Sequence, residues 1–237
     1  MGALFVTGTD TGVGKTVVTS ALVAALVRRG VRVGVFKPVE TGCVEDGNGA
    51  PVGEDCVRLA RAAGSVQSPA EVASYLFREP AAPLVAAEAE SATVDMDKIV
   101  GDFARLRERF DTVVVEGAGG WRVPITEDAS YAELVAELNT PVVCVVGSRL
   151  GCVNHALLTF ESVERSGAEL LGYVVNPVDT SGEYEFAVRT NRDLIARLTD
   201  ANELGEFLRV ADEEDMDALA TAAEGTLNIQ SLVEAGV

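Results

Sequence analysis

The sequence predicts an α/β protein: a parallel sheet flanked by helices. Three observations predict it. Short apolar, β-branched segments alternate along the chain with longer segments that carry apolar residues at helical spacing. The short segments lack strict alternation of apolar and polar residues, as strands covered on both faces do. The first of them runs into a glycine-rich loop and then a helix, which is the context a phosphate loop requires, so a sheet of the P-loop NTPase type is expected.

In order, residues 3–7 are an apolar run with β-branched and aromatic members, and residues 16–29 carry the helical pattern behind the loop. Further strands are predicted at 31–36, 113–115, 142–146 and 171–175. Helices are predicted at 54–63, 96–110, 131–138, 154–165 and 183–198. This alternation implies right-handed crossovers, so ligands gather at the carboxyl ends of the strands. Residues 45–53, rich in Gly, Asp and Glu, read as an exposed mobile loop. Beyond residue 200 the chain is more acidic and less regular. A single domain over residues 1–237 is expected, because one large sheet accommodates that length.

Hydrophobic residues make up 48% and charged ones 24%, enough apolar side chain to cover both faces of a buried sheet. The formal net charge of -18 repels phosphate backbones and anionic lipid. Neither nucleic acid nor membrane is an expected partner, and a phosphate site must be a local positive pocket. The same surplus of acid also serves solvation in a salt-rich cytoplasm, a reading of equal weight that carries no chemistry. Cys43, Cys56, Cys144 and Cys152 show no C-x-x-C spacing and read as reduced core residues. No apolar run approaches the ~20 residues that span a bilayer, and no basic leader precedes the first strand, so a cytoplasmic protein is expected.

Only three of the 19 cations are lysines: Lys15, Lys37 and Lys98. An ammonium is a point charge that fits between phosphate oxygens, where the wide guanidinium fork does not. Lys15 lies in Gly8-Thr9-Asp10-Thr11-Gly12-Val13-Gly14-Lys15-Thr16. Glycines there let the backbone wrap so that N–H groups face phosphate oxygens, and the helix N-terminus adds its positive end. Lys15 is placed for the β and γ phosphates and the Thr16 hydroxyl for magnesium. Five residues separate Gly8 from Gly14, one more than the usual pattern, so this is a variant loop. A purely structural glycine turn is the weaker reading.

Lys37 ends the second strand, and Pro38 stiffens the exit. A surface lysine is equally common at a strand end; the position behind a buried strand tips the reading to function. Glu116 follows three valines and precedes Gly117-Ala118-Gly119-Gly120. A carboxylate at a strand tip beside glycines suits magnesium or its bound water, the alternative being a helix-capping glutamate. Asp55 is a weaker candidate, because carboxylates in acidic loops are usually just solvated. His155, the only histidine, is assigned no role, and no His/Cys cluster proposes zinc.

Four blocks occur together: residues 7–16; Lys37-Pro38-Val39-Glu40-Thr41-Gly42; Val115-Glu116-Gly117-Ala118-Gly119-Gly120-Trp121; and Leu150-Gly151-Cys152-Val153-Asn154-His155-Ala156. Their order and spacing resemble the dethiobiotin synthetases from residue 2 to about residue 176. The resemblance implies a ligase that uses ATP and Mg2+ to convert 7,8-diaminopelargonate and CO2 into dethiobiotin, ADP and phosphate. It implies catalytic roles for Lys37, Lys15 and Thr11. Nucleotide contacts are implied for Gly12, Val13, Gly14, Lys15, Thr16, Val17, Glu116, Gly117, Gly119 and Asn176, the last at the adenine edge. Magnesium is implied at Thr16, Asp55 and Glu116. Substrate contacts are implied for Thr41, Gly151, Cys152 and Asn154, with the 151–154 block supplied across the interface of a homodimer. The chain departs from the family pattern at Arg149, where lysine is frequent, at Pro177, and at Leu204-Gly205-Glu206-Phe207-Leu208, where Gly-Glu-Ile-Pro helps form the base pocket. Two rival readings share the loop. P-loop amide-forming ligases such as the cobyrinate enzymes carry a glutaminase domain for which 237 residues leave no room. A ParA/MinD-type switch ATPase wants a second lysine where Asp10 stands and a basic or amphipathic surface.

Overall fold

The computed structural model describes residues 2–178 and 181–237. The chain begins with β1 (Gly2–Gly8), α1 (Lys15–Arg28), β2 (Val33–Phe36), β3 (Val39–Thr41), β4 (Val44–Glu45), β5 (Pro51–Val52) and α2 (Glu54–Ala62). It continues with α3 (Pro69–Val72), β6 (Tyr75–Phe77), α4 (Pro83–Ala89), α5 (Met96–Arg109), β7 (Thr112–Glu116) and α6 (Tyr131–Leu138). The remaining elements are β8 (Val142–Ser148), α7 (Cys152–Arg165), β9 (Leu170–Pro177), α8 (Glu185–Leu198), β10 (Glu203–Glu206), α9 (Met216–Thr226) and α10 (Ile229–Glu234).

Six strands pair in parallel in the order β10-β9-β8-β1-β7-β2. The sheet is buried on both faces, which is why its strands read as continuous apolar runs. In β1 the side chains alternate between two cores, as the two-residue period of a strand dictates. Leu4 and Val6 pack with α1, α2 and α9. Phe5 faces the α5 and α6 side, with its ring 6.3 Å from Trp121 and 5.8 Å from Tyr131. Helix α1 lies between the sheet and α9, and is buried on nearly all sides from Val18 to Leu26. This cover fixes the loop before it.

The five predicted strands are present, with the second starting at Val33 rather than 31. The sixth, β10, escaped the sequence reading because it is short and broken by Gly205. That glycine sits at φ 133, and a Cβ there would lie 2.1 Å from the Thr226 carbonyl oxygen. Gly205→Ala is therefore expected to cost about 1–3 kcal/mol of stability in chemical denaturation. An unchanged midpoint would mean that the β10–α9 junction relaxes freely.

Residues 45–53, expected as a mobile loop, fold as the tip of the β4–β5 hairpin, with the Asp46 carboxylate accepting from the Asn48 and Ala50 amides. Strands β3 and β6 form a separate parallel pair that carries Glu40 and Thr41 towards the carboxyl end of the main sheet. Lys98 is structural. Its ammonium donates to Asp102 and to the Ser74 carbonyl, and lies over the Tyr75 ring. Among the described residues no helix is long and apolar enough to cross a membrane.

Candidate active site

Two left-handed glycines, Gly12 at φ 72 and Gly14 at φ 79, turn the chain between β1 and α1. The loop is held from three sides. Val13 rests on Gly147 of β8, where a Cβ would lie 2.8 Å from the valine. The Asn176 amide at the end of β9 donates to the Val13 carbonyl at 2.9 Å. Lys15 arches back and donates to the Asp10 carbonyl at 3.0 Å. Burial lowers the Lys15 pKa, and Glu116 opposes that shift by favouring the ammonium.

Beside the loop lies an ion cluster in which Lys37 and Glu116 are buried and Asp55 is partly exposed. Lys37 emerges from β2 and donates to Glu116 Oε1 at 2.8 Å and to Asp55 at the start of α2. Thr16 donates to the same Glu116 oxygen at 2.9 Å. Burial opposes the charged form of Lys37, but the Glu116 and Asp55 carboxylates outweigh it and hold the ammonium above its ordinary range. Burial raises the Asp55 carboxyl, but Lys37 attracts its charged form more strongly, and the net shift is downward. Glu116 is fully buried, and its Oε2 has no hydrogen-bond partner among the described residues. A buried carboxylate oxygen without a partner is costly unless something fills the place. With the Thr16 hydroxyl and Asp55 it makes a hard oxygen donor set, which fits magnesium.

The phosphate loop, Thr16, Lys37 and Asp55 line a cleft of about 380 Å³. Of the residues singled out from the sequence, Thr11, Gly12, Gly14, Lys15, Thr16, Val17, Lys37, Thr41, Asp55 and Gly119 face it. Val13 and Glu116 lie buried beside it, and Gly117 lies against the Phe5 ring. Asn176 lines an adjoining hollow of about 310 Å³ with Gly12, Gly14, Val17, Phe207 and Arg209. A third hollow of about 370 Å³ meets the cleft at Thr11 and Thr41, and its other walls include Pro80, Ala81, Ala82, Pro83 and Val123.

The Gly151, Cys152 and Asn154 block does not line the cleft of its own chain. Gly151 is left-handed and opens α7, Asn154 is exposed, and the Cys152 side chain is buried in a core cluster with Phe160 and Tyr173. Just before it, Arg149 pairs with Asp10 of the phosphate loop at 2.5 Å. Buried Asn191 of α8 fixes this turn by donating to the Arg149 carbonyl and to Ser148. Three cleft residues were given no predicted role, Glu40, Arg58 and Ala118. Arg58 gave no signal. Glu40 did, as the one acidic residue inside the block of residues 37–42 already singled out.

A family model described as an AAA domain matches residues 2–213. The ATP-dependent dethiobiotin synthetase BioD of Aliivibrio fischeri (strain MJ11) is 41% identical over 181 residues, 76% of this chain and 80% of that protein. Its counterpart from Janthinobacterium sp. (strain Marseille) is 41% identical over 198 residues, 82% and 83% of the two chains. The chain belongs to the dethiobiotin synthetase family. As a dethiobiotin synthetase family member it is a ligase of biotin biosynthesis, with a nucleotide-binding P-loop. Solved structures add the fold alone. The MinC:MinD cell division complex of Aquifex aeolicus superposes with TM-score 0.55 at 14% identity, covering 100% of this chain and 94% of that one. A ParA family ATPase from Chlorobium tepidum TLS gives 0.55 at 13% identity, covering 98% of each.

Proposed function

We propose that the protein carboxylates 7,8-diaminopelargonate with CO2 and closes the ureido ring of dethiobiotin, converting ATP to ADP and phosphate. The observation that carries this reading is the junction at Thr11 and Thr41, where a cationic phosphate cleft opens into an apolar hollow. An aliphatic diamine needs that combination: cations for the phosphates and a proline- and alanine-lined wall for its methylenes.

One amine takes up CO2 and releases a proton, giving a carbamate. This anion must approach the γ-phosphate, and Lys15 and Lys37 offset the repulsion. A carbamate oxygen attacks the γ-phosphorus and ADP leaves. The second amine then attacks the carbon of the mixed carbamic–phosphoric anhydride and expels phosphate, closing the ring. No protein nucleophile is needed, so positioning and charge stabilisation carry the rate. Thr11 and Thr41 would contact the transferred phosphoryl group or carbamate. Thr16, Asp55 and Glu116 would hold magnesium, whose chemistry here is neutralisation of phosphate charge. Asn176 spends one amide hydrogen on Val13. Its other hydrogen and its oxygen match the N7 acceptor and N6 donor of adenine.

We further propose a single-domain, cytoplasmic homodimer in which Gly151, Cys152 and Asn154 serve the neighbouring cleft. Exposed Leu150, Leu158, Phe186, Leu194 and Leu198 on and around α7 and α8 support such a contact.

The test is phosphate release in bicarbonate, magnesium and ATP, with and without 7,8-diaminopelargonate, together with mass detection of product. Substrate-dependent phosphate matched by dethiobiotin is expected. ATP hydrolysis stimulated instead by DNA or liposomes would favour a switch ATPase.

A further inference from the structure

We infer that Glu40 is a positioning residue that presents Asp55 to the cleft. The inference rests on the reading above in which Asp55 serves magnesium. Helix α2 begins at Glu54, and its cap residue, Gly53, has no side chain to satisfy the first amides. Glu40 of β3 satisfies them from another element. Its Oε1 accepts from the Asp55 amide and its Oε2 from the Cys56 amide, each at 2.9 Å. A single carboxylate thus takes the two donors that an N-cap side chain usually shares. The helix dipole favours a negative charge at that end.

The carboxylate is itself fixed. Glu40 is only 5% exposed, and burial holds its pKa above the usual carboxylate range against the Cys56 side chain, the Lys37 charge and the Asp55 amide, which pull it down. The Cys43 thiol donates to its carbonyl at 3.6 Å, tightening the turn after β3. Gly53 leaves the space: a Cβ there would lie 2.1 Å from Glu40 Oε2 and 2.4 Å from Cδ. Gly53 has ordinary extended φ, so this contact alone demands the glycine. The outer side of α2 has different anchors, exposed pairs from Arg58 and Arg61 to Glu214. Such pairs contribute little and are screened by salt. Glu40 is the buried anchor, and it binds the backbone of the residue whose carboxylate enters the ion cluster. The hydrogen bond runs to Asp55 N, so losing it frees the first turn of α2 and lets the Asp55 carboxylate drift from Thr16 and Glu116.

The test titrates Mg2+ against binding of a fluorescent ATP analogue to the full-length protein, without turnover. Asp55→Asn is the reference variant. Glu40→Ala is expected to raise the half-saturating Mg2+ by about tenfold, the scale of losing a group that orients a metal ligand. Gly53→Ala should do the same, because its Cβ occupies the carboxylate's place. Glu40→Gln should shift less, since its amide oxygen still accepts one N–H. Affinity without Mg2+ should stay within about twofold for the Glu40 and Gly53 variants, and their turnover should recover at high Mg2+. Should Glu40→Ala fail to fold, the Gly53→Ala and Glu40→Gln titrations carry the test. If Asp55→Asn shifts the Mg2+ midpoint and the other variants do not, Glu40 is only a helix cap and the inference is overturned. If Asp55→Asn leaves the midpoint alone, the magnesium reading of Asp55 falls and takes the inference with it.

Discussion

Lys37→Ala is expected to lower turnover by about 10²–10³-fold while nucleotide binding largely survives. Lys37 is not part of the phosphate loop. It comes from β2 and is 3% exposed, held between Glu116 and Asp55. The loop keeps its own lysine, its glycine turns and the N-terminus of α1, so the binding contacts of a triphosphate remain in place. What disappears is the cation beside the point where two anions must meet. A second consequence follows from the cluster. Removing one partner of a buried ion pair leaves an uncompensated charge and typically costs 3–5 kcal/mol. Here two carboxylates are left, so part of that loss should return when Mg2+ is added. Thermal melting with and without Mg2+, beside binding and turnover, checks both parts. Equal loss of binding and turnover would make Lys37 a nucleotide ligand rather than a catalytic cation.

Gly14→Ala is expected to weaken nucleotide binding by at least about tenfold, with the fold retained. Two separate penalties meet at this residue. Its φ of 79 lies in the left-handed region, which costs an L-residue roughly 1–2 kcal/mol. A Cβ would also lie 2.1 Å from the Asn176 amide nitrogen. That nitrogen holds the Val13 carbonyl, so relief of the clash loosens the tie between the loop and β9. The amides that should face phosphate would move with it. Isothermal titration with ATP and Mg2+ measures the effect, and circular dichroism checks the fold. Gly12, also left-handed, has nothing within 4 Å of its would-be Cβ, so Gly12→Ala should cost the strain alone and be the milder change. Equal effects at the two positions would mean that the Asn176 contact is incidental.

The two variants separate what each part of the chain contributes. The phosphate loop was legible because its chemistry is local: glycines, lysine and threonine act within nine consecutive residues between one strand and one helix. Glu116 and Lys37 were legible because a charged residue at the end of an apolar run stands out. Asp55 was ambiguous. An aspartate in an acidic stretch looks the same whether solvated or aimed inward, and only the approach of Lys37 from β2 distinguishes the two.

The sequence by itself determined the alternation of strands and helices, the burial of the sheet on both faces and the position of the phosphate loop. Each of these depends on periodicity or on short-range backbone geometry. Tertiary structure alone decided the order of the strands and the place of β10, whose single glycine and four residues carry too little periodicity to read. It decided that Lys37, Glu116 and Asp55, spread over residues 37 to 116, share one cluster. It also decided that Gly53 must be a glycine: its backbone is ordinary, and the reason lies in a carboxylate 13 residues earlier that needs the space.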